Sequence, residues 1–335
     1  MKTSSFIFVF VLCLFGSVTV MAQNPVATLE SNGTTKVFYG ISALIDSYNA
    51  SANGDQIYLS TGFFNPPPSI AKGIKITGAG HFPDSANVAR RTVILSGLNI
   101  DKGADSLRLE GLFVFGDINL SGASSINCVN IIRCKFSDVY LITNVSSLVK
   151  NKCIFKECFF NTMRSSLSNS NNEITHCLIS GTIIEFRNSI IDGNIFLINS
   201  RSIISINNCE IKNNIFLGSF TLEANFSNTI NYNIFTSAVD FGSNYNANNY
   251  INISQSEILV NQSGNAIDYL HDYHLKAPLT YIGTDGSQVG LYGGIIPFKD
   301  KGLPSNPQII SKNVAAQTDA NGKLQINFTV KAQSN

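Results

Sequence analysis

Three eight-residue phrases constrain this chain more than any other feature. "SIIDGNIF" (189–196), "CEIKNNIF" (209–216) and "NTINYNIF" (228–235) write nearly the same pattern at intervals of about twenty residues. "CVNIIRCKF" (128–136), "CIFKECFF" (153–160) and "NEITHCLI" (172–179) extend the series backwards. Aligned on Cys134, Cys158, Cys177, Asn194, Asn214 and Asn233, the spacings are 24, 19, 17, 20 and 19 residues. A fixed period of this size dictates architecture before any local propensity does. Each unit holds short Ile- and Phe-rich runs, has no helical periodicity, and leaves no room for a helix plus a strand. One coil of a parallel β-helix fits, with successive coils stacked at the ~4.8 Å spacing of paired strands.

The columns then acquire a physical meaning. Ile131, Phe155, Ile174, Ile191, Ile211 and Ile230 stand three residues before the anchor. Phe136, Phe160, Ile179, Phe196, Phe216 and Phe235 stand two after it. Both columns are expected to point inward and stack like on like. The anchor column (Cys134, Cys158, Cys177, Asn194, Asn214, Asn233) is expected to mark the left-handed bend and to form a structural ladder, each Asn amide bonding the next. Cys153 and Cys209 share a second small-residue column with Asn172, Ser189 and Asn228. Exchange with Asn and Ser favours free stacked thiols; a disulfide between adjacent coils is the alternative.

Outside the repeats, residues 41–49 read as a helix whose face is Ile41, Leu44, Ile45 and Tyr48, suited to plugging one end of the stack. "GIKITGAG", "TVILSG" and "LRLEGLFVFGDINL" supply early coils. At the far end, glycine-rich residues 272–298 are expected to fold across the last coil. Residues 299–335 form a tail in which "KLQINFTVKA" reads as one strand packing on the β-helix. The organisation is thus a signal peptide over 1–22, a β-helix domain with its N-terminal cap over 23–298, and the tail.

The signal reading rests on Lys2, the apolar core "FIFVFVLCLF" and the small-residue site "VMA" before Gln23. It implies an exported protein, extracellular or on the cell surface, with the periplasm as a further destination. The expected product has no transmembrane span, because the apolar run is short and no basic stop-transfer segment follows. A net charge of +1 with 13% charged residues, and no Lys/Arg cluster, argues against nucleic-acid binding. The chain is expected to be a monomer.

With the 41–49 helix, "GDQIYL" and "KITGAG" on the page, the chain resembles the secreted right-handed β-helix proteins of the pectate-lyase-like superfamily. Its closing segment resembles those of the Bacteroidetes type. The resemblance spans roughly residues 36–298 and implies an all-β, single-stranded right-handed parallel β-helix, with polysaccharide as the substrate class of its enzymes.

Chemistry is harder to find. No D-D or D-x-D occurs in the coils, so neither a hydrolase carboxylate pair nor a calcium cluster has a signature. No cofactor is evident, and Ca2+ enters only with the lyase alternative. The best catalytic candidates are Arg133, Glu157 and His176, just before the anchors, with Lys156 and Asp192 beside them; adjacent coils place them in succession. Lys212, Asn213 and Tyr232 continue these columns as candidate substrate-binding residues. A solvated edge of alternating charge is the plain alternative. "HDYH" (271–274) offers two imidazoles, but an extended segment points them apart, so no metal site is expected. His81 reads as a surface loop residue. Scarce charge favours a module that binds polysaccharide or a cell-surface glycan, or serves as a structural rod. A uronate lyase on the flat face is the alternative.

Overall fold

The structure, a computed structural model, describes residues 24–83, 91–120, 124–142, 148–166, 168–198, 202–218, 220, 222–223, 226–302 and 308–331. The proposed signal at 1–22 lies outside them. The fold is an all-β solenoid of parallel stacked coils. Each coil is three-sided. The first side is a twelve-stranded sheet, parallel from Gln56–Leu59 through to Tyr245–Ala247. The second side carries five strands, from Phe159–Phe160 to Ile234–Phe235, joined through bridges at Lys135 to three earlier ones. The third has seven strands, from Leu98–Asn99 to Leu222–Glu223.

The predicted register holds column by column. Ile131, Phe155, Ile174, Ile191, Ile211 and Ile230 are successive partners, as are Phe160, Ile179, Phe196, Phe216 and Phe235. All are buried. Phe196, Phe216 and Phe235 stack nearly parallel, with centroids 4.6 and 4.9 Å apart, the close packing that a bore filled like on like requires.

The ladder also holds. The Asn194 backbone N–H and Nδ2 both donate to Asn214 Oδ1 at 2.9 Å. Asn214 donates in the same way to Asn233, and Asn233 to Asn249. Spare amide hydrogens reach Ile174, Ile191 and Ile211 carbonyls, so the buried amides are satisfied. In the earlier coils sulfur substitutes, with Cys158 N–H donating to Cys177 Sγ at 3.4 Å. The second column behaves alike: Cys153 N–H donates to Asn172 Oδ1 and Cys209 N–H to Asn228 Oδ1. All six cysteines among the described residues are free thiols. Burial pushes the Cys153 thiol up to about 12 and Cys209 up to about 11, so neither is a reactive thiolate.

The bend itself stands one residue earlier than expected. Arg133, Glu157, His176, Asn213 and Tyr232 have φ between 52° and 56°, with Gly193 at 66°. The anchor must aim its amide into the ladder, so the residue before it takes the left-handed turn and swings its own side chain outward. For an ordinary L-residue that conformation costs ~1–2 kcal/mol, offset here by the ladder bonds that the turn permits.

The ends depart further from expectation. The helix α1 (Ala43–Ala50) buries Ala43, Leu44, Ser47 and Tyr48, while Ile41 is exposed. Lys72 Nζ donates to the Tyr48 and Ser51 carbonyls at 2.7 Å, closing the helix C-terminus with a cation. Ahead of it, Val26–Ser31 and Thr34–Tyr39 form an antiparallel hairpin on the first coil. Its turn is Asn32–Gly33, both at positive φ, a hairpin signal present in the sequence but not used. The glycine-rich segment does not close the last coil. Residues 250–302 run back along the second side as a strap, burying Ile258, Leu259, Tyr273, Leu275, Val289, Leu291 and Phe298 against Phe159, Leu178, Ile195, Ile215 and Ile234. The tail holds two strands rather than one, Gln308–Val314 paired antiparallel with Ile326–Lys331. Ile326, Phe328 and Val330 are exposed there. No helix among the described residues is long and apolar enough to cross a membrane.

Candidate functional site

The candidate catalytic columns do come together, as a ledge where the first side turns into the second. Lys156, Thr175, Asp192 and Lys212 are successive strand partners, and the bend residues stand beside them. Lys156, Thr175, Asp192 and Lys212 are partly exposed, but the ledge does not expose the groups a lyase would use. Arg133 Nε donates to Glu157 Oε2 at 2.8 Å, and its Nη1 lies 3.3 Å from Glu110 Oε1. Both carboxylates are fully buried and the guanidinium nearly so. Arg108 and Lys156 add cations at 2.9 and 3.9 Å. Each buried charge is therefore matched, the condition under which such groups are tolerated. Glu110, absent from the sequence reading, sits in the Lys156 column one strand before Ile132; its place followed from the register but its pairing with Arg133 needed the bend geometry.

His176 is roofed by the strap. Its Nε2 lies 3.1 Å from the Gly293 carbonyl, which can only accept, so Nε2 carries the proton and Nδ1 is bare. That Nδ1 is buried without a hydrogen-bond partner. Gly193 beneath and Gly294 above leave room for the ring, since a Cβ on either would come within 2.9 and 3.3 Å of it. Burial depresses the His176 pKa and raises that of Asp192. Asp192 Oδ1 accepts from Asn213 Nδ2 at 2.8 Å. Asn213 is also bound by the strap, through Thr284 and the Gly290 N–H. Lys212 pairs with Glu210 on its own strand at 2.9 Å, and Tyr232 is partly buried one coil further along.

The remaining histidines also serve the strap. His81 is wholly buried rather than on the surface, because the strap's far end closes over it. Its Nδ1 is 3.0 Å from the Tyr269 hydroxyl, and its ring packs on Phe82 and Phe159. His271 precedes the extended Asp272–Leu275 segment and His274 lies within it; His274 bonds Asp272 at 2.7 Å and stacks on Tyr292. Among the described residues no three His, Cys, Asp or Glu side chains converge as a metal site would need.

A second feature went unread in the sequence. At the corner between the third side and the first, Arg187, Asn207 and Phe226 are successive bridge partners. Each is followed by a bend residue, Asn188, Asn208 and Ser227, at φ 46°, 55° and 56°. These six line an open groove of about 460 Å³. Asn208 Nδ2 donates to Asn188 Oδ1 at 2.6 Å, and Asn207 Oδ1 has no hydrogen-bond partner. Phe226 is 58% exposed, forgoing a good part of the ~1.5–3 kcal/mol that full burial of such a ring provides. It lies between repeats, outside the phrases that drew attention to the chain.

No family model, curated protein or solved structure matches this chain.

Proposed function

We propose that this chain is an exported β-solenoid that binds polysaccharide at or outside the cell surface, acting as a recognition or structural module rather than a catalyst. The observation that carries this reading is the burial of Arg133 and of His176 Nδ1, with His176 Nε2 held by the Gly293 carbonyl. Arg133, the cation a lyase would direct at a uronate, is held by two buried carboxylates. His176, the base it would use, lies beneath Gly293 and Gly294. General base catalysis needs the base within hydrogen-bond reach of the substrate proton, and a roofed imidazole has no such reach. The apolar leader at residues 6–15 supports export, and the outward Asn, Ser and aromatic side chains of the corners suit hydroxyl-rich rings. The likeness to the pectate-lyase-like superfamily supports polysaccharide as the ligand class.

One observation favours the lyase as a second reading: Lys156, His176, Asp192 and Lys212 are neighbours, and His176 keeps one bare nitrogen. A single experiment separates the two. The mature chain is incubated with a panel of uronate polysaccharides while ultraviolet absorbance of unsaturated products is followed, and retention on immobilised glycans is measured in parallel. Retention without product is expected. Product formation that His176→Ala abolishes would replace this reading with the lyase.

A further inference from the structure

Resting on the glycan-binding reading, we infer that the corner groove of Arg187, Asn188, Asn207, Asn208, Phe226 and Ser227 is the glycan site, and that it takes a ribbon-like hexopyranan lying along the solenoid axis, one ring per coil. The groove crosses three successive coils, and each coil contributes a pair of residues to it: Arg187 with Asn188, Asn207 with Asn208, and Phe226 with Ser227. Coils repeat at the ~4.8 Å spacing of paired strands, close to the length of one pyranose residue in an extended chain. A sugar polymer laid along the axis therefore meets one residue pair at each step. A polymer crossing the groove would meet a single pair.

The side chains present the chemistry such a ligand needs. Phe226 offers a flat apolar face to the C–H side of a ring, and its exposure is otherwise a loss. The Asn188 and Asn208 amides are already tied to each other at 2.6 Å, which fixes their orientation before a ligand arrives and lowers the ordering cost of binding. Arg187 supplies a fork of donors at the opposite end from the aromatic. The left-handed bend carries Asn188, Asn208 and Ser227 in a row along this corner, while Phe186, Ile206 and Cys209 face inward and hold the wall rigid.

The test is calorimetry of the full mature chain with β-1,4-linked oligosaccharides of one to five rings, and retention on the corresponding polymers. Affinity is expected to climb at least tenfold from one ring to three and then level off. Phe226→Ala is expected to weaken the trimer at least tenfold with no shift in melting temperature, because the ring is exposed. Asn208→Gly keeps the left-handed bend while deleting the amide, and is expected to weaken binding severalfold. Polymer retention unchanged in both variants would overturn the groove while leaving the glycan-binding reading standing, as would affinity that ignores chain length. Failure of the unsubstituted chain to bind any member of the panel would overturn both.

Discussion

Asn214 shows how much one side chain does here. Its Oδ1 takes two donors from Asn194, and its Nδ2 serves the Ile191 carbonyl, the Lys212 carbonyl and Asn233. Leucine at this position would fit the apolar surroundings but strand those groups in the bore, at ~1–3 kcal/mol for each unmet partner. Cysteine already holds the same column at Cys134, Cys158 and Cys177, where each thiol reaches a backbone carbonyl and Cys177 Sγ accepts the Cys158 N–H. Urea unfolding should therefore rank Asn214→Leu as the more damaging change, by about 3 kcal/mol or more, and Asn214→Cys as the milder one. This column was legible because identical residues recur at a fixed interval. The exact seat of the left-handed turn was not, since Arg133, Glu157 and Tyr232 are poor left-handed residues and only the ladder geometry forces them into it.

Among the elements, the strap was the least legible. Residues 250–298 carry apolar side chains without a period, so nothing in their order said whether they would close the end of the stack or run along its flank. That choice decided the fate of the candidate site: His176 and Asn213 became strap contacts, and His81 became a buried anchor instead of a loop residue. Burial, with Lys135 and Arg91 nearby, lowers the His81 pKa to about 3. The unfolded chain then binds more protons than the folded one between pH 6.5 and about 3. Stability is full above that window and falls as acid is added through it, by about 4 kcal/mol at pH 3. His81→Phe preserves the Tyr269 bond to the residue 81 carbonyl and removes the titration. Melting temperatures between pH 7 and 3 should drop less steeply in this variant than in the unsubstituted chain, with the difference largest at the acid end.

For the molecule as a whole, the two hydrophobic clusters divide the labour. The bore, from Leu29 to Phe235, holds coil on coil. The second cluster holds the strap to the outer face of the second side. A chain ending at Asn249 would keep the first and lose the second, uncovering Leu178, Ile195, Ile215 and Ile234 in one continuous stripe. Such stripes drive association in water. The shortened chain is expected to keep its β-type circular dichroism while binding a hydrophobic dye and eluting as a larger species in size exclusion. Coil stacking was readable from the sequence because it follows from nearest neighbours alone; the flanking cover was not, because it joins residues such as His81 and Tyr269, 188 positions apart.

The row of asparagine amides has a direction. From Asn194 to Asn233 one Nδ2–H of each amide points to the Asn oxygen of the next coil while the other returns to a backbone carbonyl of the coil before, and the oxygens of Asn214, Asn233 and Asn249 all face the previous coil. Aligned carbonyl dipoles of this kind polarise one another, so the row has an electrical head and tail, with its positive pole at the Asn249 end.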